Sequence, residues 1–170
     1  MSQMKQSVLF VCLGNICRSP LAEGLFRHHV ARAGLGDRLF ADSAGTGDWH
    51  SGEPPHPNSV LIAARNGIDI SGQRARQLQT GDLGRFELIC GMDASNVANI
   101  RALSRSTRAG NTHGKRAEIV RFMDAGSMEE CDVPDPWSKG MEAYQKVFDM
   151  INSTMPRLID RLLKAQKRVD

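Results

Sequence analysis

The sequence predicts an α/β fold of three layers, a four-stranded parallel sheet flanked by helices on both faces, and three observations predict it. Apolar, strand-like runs recur at 7–12, 39–43, 86–91 and 116–122. The segments between them carry apolar residues at helical spacing. Strand and helix alternate along the chain, and strands joined by helical crossovers lie parallel, with helices on both faces of their sheet. At 170 residues and 41% hydrophobic composition the chain has the size of a single compact domain, expected to span 1–170, and no repeat, low-complexity tract or linker divides it.

The first run leads into a helix. Ser19 offers a capping hydroxyl, Pro20 suits the first helical position, and Ala22, Leu25, Phe26, Val30 and Ala33 share one face before Gly34 stops it. After the second run, Asn58 is the expected cap of a helix over 59–66 that Gly67 closes. Asp93 is the expected cap of a third helix, running through Val97 and Ile100 to about Leu103. The polar, glycine-containing stretch 104–114 reads as a surface loop. The longest helix comes last, over about 140–167, where Tyr144, Val147, Phe148, Ile151, Met155, Leu158, Ile159 and Leu162 recur at steps of three and four. Pro156 predicts a kink in it.

Charge and cysteine content exclude several classes of function. The net charge is +3, from 22 basic against 19 acidic residues, with no dense Lys/Arg block, so no nucleic-acid partner is expected. The four cysteines, Cys12, Cys17, Cys90 and Cys131, are too few and too irregular for a secreted disulfide scaffold and lack the close pairing of a zinc site. No metal is expected. Reduced thiols fit a cytoplasmic protein, with leaderless export left open, and the apolar run after Gln6 is too short for a signal peptide or a membrane span.

Residues 11–20, V-C-L-G-N-I-C-R-S-P, raise the chemical question, because a buried strand ends in a cysteine and five residues separate it from an arginine that opens a helix. Strand carboxyl ends are where open α/β sheets bind ligands. The amides of Leu13, Gly14, Asn15, Ile16, Cys17 and Arg18 are placed to curl around an anion that faces a helix N-terminus, with Gly14 and Asn15 tolerating the unusual backbone such a curl needs. That setting favours thiolate over thiol at Cys12, and holds the non-bridging oxygens of a phosphoryl group with Arg18 as a bidentate fork. Attack of sulfur on phosphorus follows, with Ser19 donating to the sulfur. A cysteine is often only a small buried hydrophobe. The surrounding strand, glycine, asparagine and helix start favour the chemical reading.

Expelling a phenolate needs a proton donor, and the loop holds none. Asp135, in the rigid turn D-P-W, is the candidate acid, although Asp-Pro by itself is ordinary turn chemistry. Trp137 beside it and Trp49, in the Gly/Pro-rich stretch G-T-G-D-W-H-S-G-E-P-P, are candidate walls for a phenyl ring.

V-C-L-G-N-I-C-R-S-P, D-S-A-G-T, M-D-A-S-N and D-P-W together resemble the low-molecular-weight protein tyrosine phosphatases, over nearly the whole chain. The resemblance implies the family's Rossmann-like four-stranded sheet, cofactor-free and metal-free hydrolysis of phosphotyrosine through a phosphocysteine on Cys12, phosphate binding by Arg18 and the loop amides, and Asp135 as general acid. It implies that Asn15, Ser19 and Ser43 shape the phosphate loop, that Trp49 and Trp137 wall the cleft, and that Asp93 and Ser95 support the site. A phosphotyrosine protein is the implied partner, with a bacterial tyrosine kinase and a host protein both standing as candidates. Two roles stay open for Cys17, a buried packing thiol or a redox partner that captures oxidised Cys12. The resemblance supports the second.

The chain departs from the family pattern in three places. Gln73 stands where a histidine commonly supports the loop, Ser138 follows Trp137 where a second aromatic is frequent, and the 104–114 stretch is longer than usual. Three rival functions compete with this reading. Arsenate reductases relay electrons through two closely spaced cysteines, a pattern that Cys90 and Cys131 do not match. Protein arginine phosphatases resemble this chain but favour threonine where Ile16 stands. A non-catalytic phospho-ligand module would need neither Cys12 nor Asp135, and both are present.

Overall fold

The computed structural model describes residues 5–108, 114, 116–126 and 130–167. Four strands, β1 (Gln6–Cys12), β2 (Leu39–Gly45), β3 (Leu88–Gly91) and β4 (Glu118–Arg121), form one sheet in the order β2-β1-β3-β4. Every neighbouring pair is parallel. Between and after them lie α1 (Arg18–Arg32), α2 (Pro57–Arg65), α3 (Asp82–Arg85), α4 (Ala94–Arg108), α5 (Phe122–Gly126) and α6 (Met141–Gln166).

Strand pleating sends successive side chains to opposite faces, and β1 is buried along its whole length. Val8, Phe10 and Cys12 join the larger core, which includes Leu25 and Phe26 of α1 and Tyr144, Ile151 and Leu158 of α6. Leu9 and Val11 join a smaller core on the other face, with Leu83 of α3, Phe86 and Ile100 of α4. Phe10 anchors the larger core by meeting Phe26 and Phe122 edge-on, each at 5.9 Å between centroids. Burying a side chain of this size contributes roughly 1.5–3 kcal/mol.

Several elements differ from the sequence expectation in their ends. α1 starts at Arg18 with Cys17 at the cap position and no side-chain cap, and Ser19 lies inside the first turn with its hydroxyl on Cys12. Pro20 therefore lies inside the first turn, where its missing N–H costs no intrahelical bond. His56 caps α2 in place of Asn58, its Nδ1 accepting from the Asn58 N–H, and Pro57 takes the first helical position. The expected cap of α4 is present: Asp93 Oδ1 accepts from Asn96 N at 2.7 Å and Asn96 Oδ1 accepts from Asp93 N at 3.2 Å. That helix continues to Arg108, so the first part of the 104–114 stretch is helical and 109–113 lies outside the described residues. β3 and β4 are shorter than their apolar runs, and α5 begins where the fourth run was expected to end. α6 runs as one helix through Pro156. No described helix is long and apolar enough to cross a membrane.

The strand order makes the carboxyl end of β1 the place where connections diverge, β2 lying on one side and β3 on the other, and such a switch point opens a crevice. Three sets of backbone bonds converge there. Thr46 N donates to Cys12 O and Gly47 N to Leu13 O, each at 2.9 Å, which draws in the segment after β2. Met92 N donates to Val11 O and Val133 N to Met92 O, again each at 2.9 Å, so the chain ahead of Asp135 is stitched to the sheet edge. His56 N donates to Ile16 O at 2.7 Å and ties down the start of α2.

Candidate active site

The loop from Cys12 to Arg18 owes its shape to Asn15, which holds a left-handed φ of 57°, a conformation asparagine adopts more readily than most residues. Its side chain is buried, and the direction of every bond it makes is determined. Arg76 N donates to Asn15 Oδ1 at 3.0 Å, so the amide nitrogen must be the end that donates to Ser19 Oγ at 2.8 Å and to Ser43 Oγ at 3.0 Å. Ser43 in turn gives its proton to Glu23 Oε1 at 2.9 Å. Ser19, already accepting from Asn15, has its proton left for Cys12 Sγ at 3.0 Å, a shorter contact than the 3.5 Å to Ala44 O. The chain of bonds thus ends in a hydroxyl donor aimed at the sulfur. Gly45 permits the loop to pack this close, since a Cβ there would lie 2.9 Å from Leu13 O.

Glu23 is buried on the sheet side of α1. Burial raises its carboxyl above the ordinary range, and a hydrogen bond and charge from Asp42 push the same way, against Arg27 and Ser43. Arg27 Nε lies 3.1 Å from Glu23 Oε2, while Arg76 bridges Asp42 and Asp82 at 3.0 Å each. Gln73 does not join this network: its Nε2 donates to Pro20 O at 3.1 Å and its buried Oε1 has no hydrogen-bond partner among the described residues.

Arg18 is buried at the helix start and is gripped on one edge, Nη1 donating to Asp93 Oδ2 at 2.7 Å and to Val133 O at 2.9 Å. Its Nε is buried and makes no hydrogen bond among the described residues. Asp135 approaches the other terminal nitrogen, Oδ2 lying 3.7 Å from Arg18 Nη2. At that separation the pair is not hydrogen-bonded, and the Trp137 N–H tethers the carboxylate by donating to Oδ1 at 3.1 Å.

These groups share a cleft of about 270 Å³, lined by Cys12, Leu13, Gly14, Ile16, Cys17, Arg18, Trp49, His50, Asp135 and Trp137. Trp49 and Trp137 stand at its mouth, 67% and 58% exposed, far more open than residues recruited for packing. The Trp49 ring packs against Gly47, where any Cβ would meet it at 1.7 Å. Ser138 follows at φ 63°, inside the turn that Lys139 N closes by donating to Pro136 O at 3.0 Å. Cys17 faces Tyr144, Sγ to OH at 3.5 Å, and burial pushes its thiol up to about 11.

Of the candidate site residues read from the sequence, Ser95 is exposed on the first turn of α4 and does not line the cleft. Cys90 is wholly buried in β3, which removes it from any mobile relay with Cys131. Glu23, Arg76 and His50 were not anticipated. An acidic residue four positions after Ser19, on the apolar side of a helix, was a readable signal for Glu23. His50, with Nδ1 2.8 Å from Glu53 Oε2, adds a ring beside Gly14 that only its adjacency to Trp49 hinted at.

The family described as Low molecular weight phosphotyrosine protein phosphatase matches residues 7–168. The Low molecular weight protein-tyrosine-phosphatase YfkJ of Bacillus subtilis is 39% identical over 161 residues, covering 95% of this chain and 98% of the relative. The crystal structure of YfkJ superimposes with a TM-score of 0.83 over 95% of this chain and 97% of its own, at 37% identity. The crystal structure of DARP, a Drosophila arginine phosphatase, is 28% identical with a TM-score of 0.80, covering 98% of this chain and 100% of its own.

Proposed function

Because the chain belongs to the low molecular weight phosphotyrosine protein phosphatases, we propose that it hydrolyses phosphotyrosine in proteins, within a single catalytic domain, through a phosphocysteine on Cys12. The observation that carries this reading is the meeting of Cys12, Arg18 and Asp135 at one cleft although they lie on β1, on α1 and in the turn before α6.

In the first step the Cys12 thiolate attacks phosphorus, the bond to the aryl oxygen breaks, and Asp135 passes its proton to the departing phenolate. The loop amides and Arg18 hold the three equatorial oxygens as charge develops on them, and a phosphoryl oxygen gives the buried Arg18 Nε an acceptor. In the second step Asp135, now a carboxylate, takes a proton from water as that water attacks phosphorus and the P–S bond breaks. The Ser19 hydroxyl then stabilises the leaving thiolate. Proton transfer of this kind supplies about 10²–10⁴ in rate, or about 3–5 kcal/mol.

Apolar walls at Leu13, Ile16, Trp49 and Trp137 favour a phenyl ring over the charged guanidinium chain of phosphoarginine. All four cysteines are free, which supports work in a reducing compartment such as the cytoplasm. Cys17, lining the same cleft, is the candidate to capture oxidised Cys12. The test is hydrolysis of an aryl phosphate in excess chelator by the parent and by Cys12→Ser, followed by phosphotyrosine and phosphoarginine peptides. Turnover that survives Cys12→Ser, or that needs metal, overturns the mechanism, and a preference for phosphoarginine overturns the substrate.

A further inference from the structure

Trp49 has a second space behind it. A groove of about 510 Å³ begins at the same Leu13 and Trp49 that line the catalytic cleft and runs along α4, between Leu78, Leu103 and the small residues Ala102 and Ser106. Ala102 and Ser106 are four apart, so they share one face of the helix, and both are exposed. Trp49 is held as the partition because its ring is seated on Gly47. None of the described residues lining the groove is charged, in a chain that is 24% Asp, Glu, Lys and Arg. One lining hydroxyl, Thr46 Oγ1, is buried without a hydrogen-bond partner among the described residues.

Given the phosphotyrosine reading, we propose that this groove is a substrate subsite, taking an aliphatic side chain of the substrate polypeptide within three residues of the phosphotyrosine. A ring inserted between Trp49 and Trp137 leaves its Cα at the cleft mouth, so the polypeptide crosses one of the two tryptophans as it leaves. An extended chain advances about 3.3 Å per residue, and two or three residues carry it across an indole. On the Trp49 side that path leads directly into the groove, through the two residues both spaces share. Leu13, Leu78 and Leu103 offer an aliphatic group apolar contact, beside the uncharged polar Gln77 and Asn99. An acidic side chain entering the same space loses water and meets no cation among the described residues that line it.

The test uses tyrosine-phosphorylated peptides in which Leu or Asp occupies each position from −3 to +3 in turn. The parent should favour Leu over Asp by about tenfold in kcat/KM at one or two of these positions, carried by KM. Ala102→Glu and, independently, Ser106→Glu fill the groove from the exposed face of α4 and should abolish that preference while an unadorned aryl phosphate is hydrolysed at the parental rate. Equal rates for all peptides, or a preference that persists in both variants, overturns the proposal. Equal loss on peptides and aryl phosphate in both variants also overturns it, by tying α4 to catalysis and not to selection. Binding of the same peptides to Cys12→Ser, followed by tryptophan fluorescence, reads the Leu/Asp ratio without turnover. A protein inert toward aryl phosphate therefore sinks the phosphatase reading, while the groove is still decided.

Discussion

Asp93 divides its carboxylate between Arg18 and the first turn of α4, Oδ2 lying 2.7 Å from Arg18 Nη1 and Oδ1 2.7 Å from Asn96 N. The charge that holds the arginine is therefore held by the helix that forms one wall of the groove. Asp93→Ala removes both functions at once. Breaking a buried pair costs about 3–5 kcal/mol and losing a cap about 1 kcal/mol. Asp93 is partly exposed, so the lower end applies, near 3 kcal/mol in urea unfolding. Asp93→Asn keeps a single acceptor, which can still serve the cap on Asn96 N while its NH2 faces Arg18, so it should recover only the cap, about 1 kcal/mol. Equal losses in the two variants would show that the charge matters and the cap does not.

Asp135→Asn should lower kcat for phosphotyrosine by about 10²–10⁴ and for an activated aryl phosphate by much less, because a good leaving group departs without a proton. Steady-state rates over a series of leaving groups measure this. A uniform loss across the series would assign Asp135 another part.

Glu23 predicts a pH dependence of stability. Burial raises its folded pKa above the unfolded value of about 4.3, so between the two the folded chain holds more protons than the unfolded one. The stability this group contributes is present in full below the unfolded pKa and is lost as pH rises through the folded one. Glu23→Gln copies the protonated form, still accepts from Ser43, and should remove that decline while keeping kcat within about threefold. Glu23→Ala strands the Ser43 hydroxyl and should lower kcat about tenfold or more, the worth of one charge-assisted hydrogen bond. Urea midpoints measured from pH 4 upward check the first claim, and parallel curves for parent and Glu23→Gln would refute it.

Cys17 predicts how oxidation proceeds. Peroxide converts the Cys12 thiolate to a sulfenic acid, and attack by the Cys17 thiolate expels hydroxide and closes a disulfide that dithiothreitol reopens. With the Cys17 thiol pushed up to about 11, the thiolate fraction, and with it the rate of closure, should climb about tenfold per pH unit from neutrality toward that value. Cys17→Ser should lose activity to peroxide irreversibly as Cys12 passes to sulfinic acid. Peptide mass spectrometry distinguishes the two fates. Full recovery of the variant would leave Cys17 as a packing residue against Tyr144.

The cysteine, the five-residue spacing and the arginine were readable in the chain because they form a local unit, one strand end, one turn and one helix start, each shaped by its neighbours in sequence. The same holds for the Asp93 cap and for Asp135 in its proline-bound turn. Local pattern also determined the alternation of strands and helices, and so the parallel sheet. Tertiary structure alone decided the rest. Ser19 reads as a helix cap until Asn15 and Cys12 claim its hydroxyl, and Asn58 reads as a cap until His56, stacked on Tyr144 with centroids 5.3 Å apart, takes its place. Asp135 reaches the cleft that Cys12 also lines because Val133, Met92 and Val11 are joined backbone to backbone across three segments. Glu23 becomes part of the site because folding buries it beneath Ser43. Spacing along a chain encodes bonds that close within a turn or two. Bonds between residues dozens of positions apart depend on strand order and register, which arise only when the whole apolar pattern packs at once.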